Sequence, residues 1–320
     1  MRALLLGCVA FLSLALGAGS GGLDVDGLVS LLQAREESLR QELWLEYDVT
    51  HQLLPGYAER VELRTAVLQE LHRRGQSDKE PEYPKLRSDW QSFRLEKRQT
   101  LAIRGTSVRI DYEIPKDPDP RFSHPAAHHT DHFDGTLWRS FGSTDRHGGP
   151  VGIIQRGRPR GPLVGEALLP LGLALPEAFD QQFQREMTLG QFLGQCAAEG
   201  HLDVHVGTLP DTETPCYVAE GYVSHPRVAE GGPSVKVYVD PARGFVPLRI
   251  ESGFSARNEA GEMLTHYGVR VISSELRQVG EALWVPIAAA VIHSRQERVP
   301  AQDSLDYSSA VLRKQVWPDC

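Results

Sequence analysis

Residues 124–134 hold the densest set of side chains able to do chemistry: His124, His128, His129, Asp131, His132 and Asp134. Imidazole and carboxylate donors together suit zinc, copper or nickel. Their spacing matches no His-Glu-x-x-His arrangement, and the segment reads as a loop running into a hairpin, where histidines are ordinarily solvated. The cluster is therefore expected to be noncatalytic and at most a weak metal site, because a catalytic metal also needs an open coordination position and an oriented outer shell. A metal-dependent envelope enzyme using His124 to Asp134 stands as the alternative. Other catalytic signatures are missing: there is no Gly-x-Ser-x-Gly elbow, no phosphate-binding loop and no Ser-x-x-Lys. Asp111 and Glu113 alternate with apolar neighbours, which marks a solvent face rather than an acid/base pair. Asp24-Val25-Asp26-Gly27 begins like a calcium loop but lacks the later ligands, and reads as helix capping. No enzyme activity and no cofactor are expected.

The compartment follows from the first 22 residues. Arg2 precedes an uncharged apolar run from Ala3 to about Leu16, and small residues follow, the order of a secretory signal peptide. Residues 1–20 are expected to be removed, leaving 21–320 as one exported domain, periplasmic or secreted. Leu5-Leu6-Gly7-Cys8 has the look of a lipid-attachment box, but the apolar run continues past Cys8. No other apolar stretch approaches the length of a bilayer span, so a membrane-spanning chain is not expected. In an oxidising compartment Cys196 and Cys216 are close enough in sequence to close a disulfide loop; the alternative is that both are small buried apolar residues. No Cys-x-x-Cys occurs, which removes thioredoxin-like chemistry and the common structural zinc sites.

The chain has 320 residues, 41% of them hydrophobic and 24% charged, with a formal net charge of −8. That composition supports a packed core, and the acidic balance argues against nucleic acid as the main partner.

The elements that must carry these groups are mostly strands. Val25, Leu28, Val29 and Leu32 recur at helical spacing after Asp24 or Asp26, predicting an amphipathic helix to about Arg40. Leu43, Leu45, Tyr47 and Val49 then alternate as a half-buried strand. Residues 55–85 read as a helical insertion. Gly105-Thr106 and Asp134-Gly135 are placed to turn hairpins. Residues 163–200, rich in Leu and broken by Gly165, Pro170, Gly172 and Pro176, are expected to form a lid, with Thr188 capping its last helix. Strands resume from Leu202. About eleven antiparallel strands without a βαβ rhythm predict a mainly β (α+β) fold built on one large curved antiparallel sheet covered by helices.

This order of elements, the strand pair SFRLEKRQTLAIRGTSVRIDYEI, the mid-chain lid and the runs VKVYVDPARGFVPLRIE and ALWVPIAAAVI together resemble the LolA-like family of periplasmic lipoprotein carriers, in particular its divergent lipoprotein-sorting members. The resemblance is architectural and implies a half-open β-barrel whose concave face holds lipid or lipoprotein acyl chains under a helical lid, with a further envelope protein as a possible partner. On that reading the lining residues are Phe93, Leu95, Leu101, Ile103, Val108, Ile110, Tyr112, Trp138, Val237, Val239, Leu248, Ile250, Val269, Val271 and Trp284. The same residues fit an ordinary filled core, and a purely structural envelope domain remains the third reading.

Overall fold

A computed structural model of the chain describes residues 23–53, 94–114, 127–144, 149–156, 168–175, 187–224, 232–257, 263–279, 283–299 and 302–316. The expected leader (1–20), the helical insertion (55–85) and Phe93 lie outside the described residues.

The first element is helix α1, Val25–Gln41, and its cap is Asp24, whose carboxylate accepts from the Gly27 N–H at 2.8 Å. Leu28, Leu32 and Leu39 form its buried stripe. Six strands follow: β1 (Leu43–Leu53), β2 (Arg94–Arg104), β3 (Ser107–Ile114), β4 (Ala127–Phe133), β5 (Leu137–Thr144) and β6 (Gly149–Arg156). A 3-10 turn at Leu169–Leu171 and helix α2 (Leu189–Ala198) precede seven more: β7 (Leu202–Thr208), β8 (Pro215–Tyr222), β9 (Pro233–Asp240), β10 (Val246–Arg257), β11 (Met263–Val279), β12 (Leu283–Val299) and β13 (Gln302–Val316). The turns fall where glycine permits them, with Gly105 at φ 60° between β2 and β3 and Gly135 at φ 94° between β4 and β5.

All thirteen strands join one antiparallel sheet in the order β6-β5-β4-β3-β2-β1-β13-β12-β11-β10-β9-β8-β7. Two meanders, β1–β6 and β7–β13, are therefore welded along β1 and β13, from Glu46 opposite Val316 to Leu53 opposite Ser309. The large curved sheet and half-open β-barrel expected above are not what the chain forms: the sheet is neither closed nor strongly curled, and among the described residues its strand order is linear, with β6 and β7 as its outer edges. The expectation rested on the tendency of so long a sheet to curl and on the family resemblance; the sheet instead keeps two separate edges, and both are blunted. Strand β6 begins Gly149-Pro150, whose proline has no N–H to offer, and β7 is seven residues long with Asp203 and His205 exposed. Open sheets of this width occur in other proteins.

Edge strands β6 and β7 are consecutive in sequence yet lie at opposite ends of the sheet. Their connection, residues 157–201, carries the 3-10 turn and α2, and these pack with α1 over one sheet face. Leu168–Leu175 is buried throughout and belongs to the same apolar cluster as Leu28, Leu32, Leu45, Leu101, Val237 and Val291. The covered face is thus roofed by a crossover.

Candidate functional site

Strand alternation gathers most of the proposed lining residues on the covered face. Leu101, Ile103, Val108, Ile110, Val237, Val239, Ile250 and Val271 are all buried in the one cluster, and Tyr112 and Val269 pack against it. Trp138 is buried outside that cluster. Leu248 is buried as the extra residue of a bulge between Pro247 and Arg249, where the register to β9 shifts. Trp284 alternates with Leu283 and Val285 and stands on the opposite face, with the Arg243 guanidinium 5.5 Å from its ring centre. Leu95 is placed on β2 opposite His51 by its backbone register.

The cover is tied down by a few polar groups that sequence reasoning missed. Arg35, fully within the buried stripe of α1, donates from Nη1 to the Leu171 carbonyl at 2.8 Å and from Nη2 to the Trp284 carbonyl at 3.1 Å. Burial pushes its guanidinium down to about 10, against the pull of neighbouring Glu36, so it stays charged at neutral pH. Glu36 turns to α2, where its Oε1 accepts from the Gly190 N–H at 2.6 Å. Burial pushes the Glu36 carboxyl up to about 7, outweighing the hydrogen bonds from Thr188 and Gly190 and the Arg35 and Arg40 charges. Gln33 donates to the Gly190 carbonyl at 3.2 Å, and a cleft of about 340 Å³ lies beside these groups, lined by Gln33, Glu36, Glu37, Arg40, Thr188 and Gln191. The signal was present in the sequence: Arg35 falls at the spacing of Leu28, Leu32 and Leu39, a charge on an apolar stripe.

The described part of the histidine-rich segment is mostly strand. Residues 127–133 form β4, paired with β3 and β5 on either side, and alternation splits the cluster between two faces. His129 and Asp131 point to the covered face, while His132 lies on the other, where its Nε2 is 3.1 Å from Ser107 Oγ. Asp134 caps the turn, accepting from the N–H groups of Thr136 and Leu137, which with Arg139 holds its carboxyl well below the usual range. His124 lies outside the described residues. On the covered face, His129 Nε2 is 3.0 Å from Asp131 Oδ1 and 2.8 Å from Ser140 Oγ. A Ser-His-Asp relay needs the hydroxyl and the carboxylate on different ring nitrogens, and here both converge on one. Among the described residues there is no group of three or more His, Cys, Asp or Glu arranged to hold a metal.

Of the two readings left open for the cysteines, the structure has the second: Cys196 and Cys216 are both free and buried. Cys196 belongs to the covered cluster, whereas Cys216 sits with Val218 and Tyr238 in a separate one. The alternation of β8 puts Cys216 on the face away from Ala219, so the sheet lies between the two sulfurs. Burial pushes the Cys196 thiol up to about 12.

The sequence matches no protein-family model and no curated protein. The structure is similar to a crystal structure described as an outer membrane lipoprotein-sorting protein domain from Vibrio parahaemolyticus, with 9% sequence identity, 91% of each chain covered and a TM-score of 0.42. Among the described residues no helix is long and apolar enough to cross a membrane.

Proposed function

We propose that this chain is an exported, noncatalytic binding protein for acyl chains or other long apolar ligands, taken up between the covered sheet face and the crossover that roofs it. The observation that carries the reading is the roof itself: Leu168–Leu175 and α2 complete the apolar cluster from a connection between two distant sheet edges. Magnitudes allow exchange. Burying the five leucines of 168–175 is worth on the order of 10 kcal/mol, and burying an acyl chain of about 14 methylenes is worth about the same. A ligand of that size replaces what the sheet loses when the roof lifts. The leader-like residues 1–22 support export, and the lack of a relay or metal set among the described residues supports a binding role over the metal-dependent enzyme.

Uptake of the neutral fluorescent probe N-phenyl-1-naphthylamine by the purified chain, and its displacement by lipid, tests the reading. Binding with Kd in the micromolar range is expected. Ile250→Asp, which puts a charge into the covered cluster, is expected to weaken it at least tenfold, with far-UV circular dichroism reporting that the sheet persists. Failure of the native protein to take up the probe, or to carry lipid in native mass spectrometry, would leave a filled structural core as the answer.

A further inference from the structure

The covered face carries a polar inset spanning β3, β4 and β5. Register places Ile110, Asp131 and Ser140 side by side in one rung, Tyr112, His129 and Gly142 in the next, and Val108, Phe133 and Trp138 on the other side. The imidazole is seated by its neighbours. It stacks on Tyr112 with ring centres 4.8 Å apart, and it needs a glycine beneath it, because a Cβ on Gly142 would come within 2.5 Å of His129 Nδ1. So held, His129 occupies Asp131 Oδ1 and Ser140 Oγ.

Two polar atoms beside it are left over. Asp131 is 4% exposed and its Oδ2 has no hydrogen-bond partner; Trp138 is 9% exposed and its Nε1–H has none. Leaving either atom buried and unpaired is costly, and an unpaired carboxylate oxygen costs the more. Asp131 and Trp138 are diagonal neighbours across β4 and β5. They also sit at a boundary. Ile110 in the Asp131 rung is buried in the main cluster, whereas Ile153, the next residue of that rung on β6, is 50% exposed. Neither Asp131 nor Trp138 belongs to the cluster under the roof.

We infer that Asp131 and Trp138 form the head-group site of the ligand, and that they select a neutral hydroxyl. The hydroxyl donates its proton to Asp131 Oδ2 and accepts from Trp138 Nε1–H, while its apolar tail passes Ile110 toward the roofed face. The chemistry is selective because the two orphans have opposite needs. A carboxylate head has no proton for Asp131 and sets a like charge against it; an ammonium head cannot accept from the indole. The ligand class is therefore a long-chain alcohol or an acylglycerol rather than a free fatty acid. This inference rests on the binding role proposed above.

Displacement of N-phenyl-1-naphthylamine from the full chain by 1-decanol, decanoate and decylammonium at pH 8 tests it. Decanol is expected to displace the probe at about tenfold lower concentration than decanoate, with decylammonium weaker than decanol. Asp131→Asn should shrink the gap between decanol and decanoate to less than about threefold, and Trp138→Phe should weaken decanol about fivefold more than it weakens the probe. If Asp131→Asn does not fold, the ranking of the three ligands on the native chain decides alone. Equal displacement by all three, as when a buried water satisfies both atoms, overturns the head-group site and leaves the binding role standing. Tighter binding of decylammonium or decanoate than of decanol also overturns it. Absence of probe uptake overturns the binding role and this inference with it.

Discussion

Glu36 sits on the buried side of α1 with its carboxyl against the first turn of α2, and its protonation is tied to the fit of the roof. Its folded-state value of about 7 lies above the ordinary 4.5 because burial disfavours the charged form. The folded protein therefore binds this proton more tightly than the unfolded chain does. The stabilisation is fully present below the unfolded value and is lost as pH rises through about 7, a fall of roughly 1.4 kcal/mol per unit and at most a few kcal/mol in all. Urea midpoints should decline between pH 5 and 8 for the native chain. In Glu36→Gln, whose amide oxygen still accepts from Gly190, that decline should flatten. An identical decline in both proteins would assign the pH dependence to other groups. Arg35 makes the complementary case, a buried charge kept because two backbone carbonyls on different elements receive it.

At the scale of elements, α2 shows how little holds the roof in register. Its cap is a reciprocal pair in which Thr188 Oγ1 accepts from the Gln191 N–H and the Gln191 side chain accepts from the Thr188 N–H, both at 3.2 Å. Thr188→Ala removes one of these bonds and a contact to Glu36, and should cost about 1 kcal/mol. Faster amide exchange should be confined to residues 187–198, with the exchange of β9 to β12 unchanged. If exchange rises equally across the sheet, α2 is an integral part of the core and the roof is not separable. The capping of both helices and the hairpins at Gly105 and Asp134-Gly135 were legible in the sequence because each depends on residues within a few positions. Strand β4 was not, because its two faces carry histidine and aspartate instead of an apolar alternation, and only its pairing with β3 and β5 makes it a strand. The polar inset was hidden for the same reason: it needs Tyr112, His129, Asp131, Trp138 and Ser140 brought together by register across three strands.

For the whole molecule, the decisive feature is that the sheet is welded between β1 and β13 while its outer edges are joined by the roof-bearing crossover. The family resemblance pointed to the covered, antiparallel plan, and the openness of the sheet could not be read from it, since closure depends on whether two strands far apart in the order meet. One consequence separates the binding role from a filled core. The sheet interior is stabilised by a continuous backbone ladder from β1 through β13 to β8 and by side chains on both of its faces, whereas residues 168–175 contribute mainly buried leucines and a few hydrogen bonds. Local openings should therefore have a free energy well below that of global unfolding in residues 168–175 and 187–198. Native-state hydrogen exchange in low urea measures this directly. The roof amides are expected to exchange through an opening at least about 2 kcal/mol easier than that of β9 to β12, and added decanol should ease it further by occupying the face the roof vacates. If the roof amides open only with the sheet, and lipid leaves them unchanged, the leucines are a permanent plug, the face beneath them never becomes available, and the binding role has no route for its ligand.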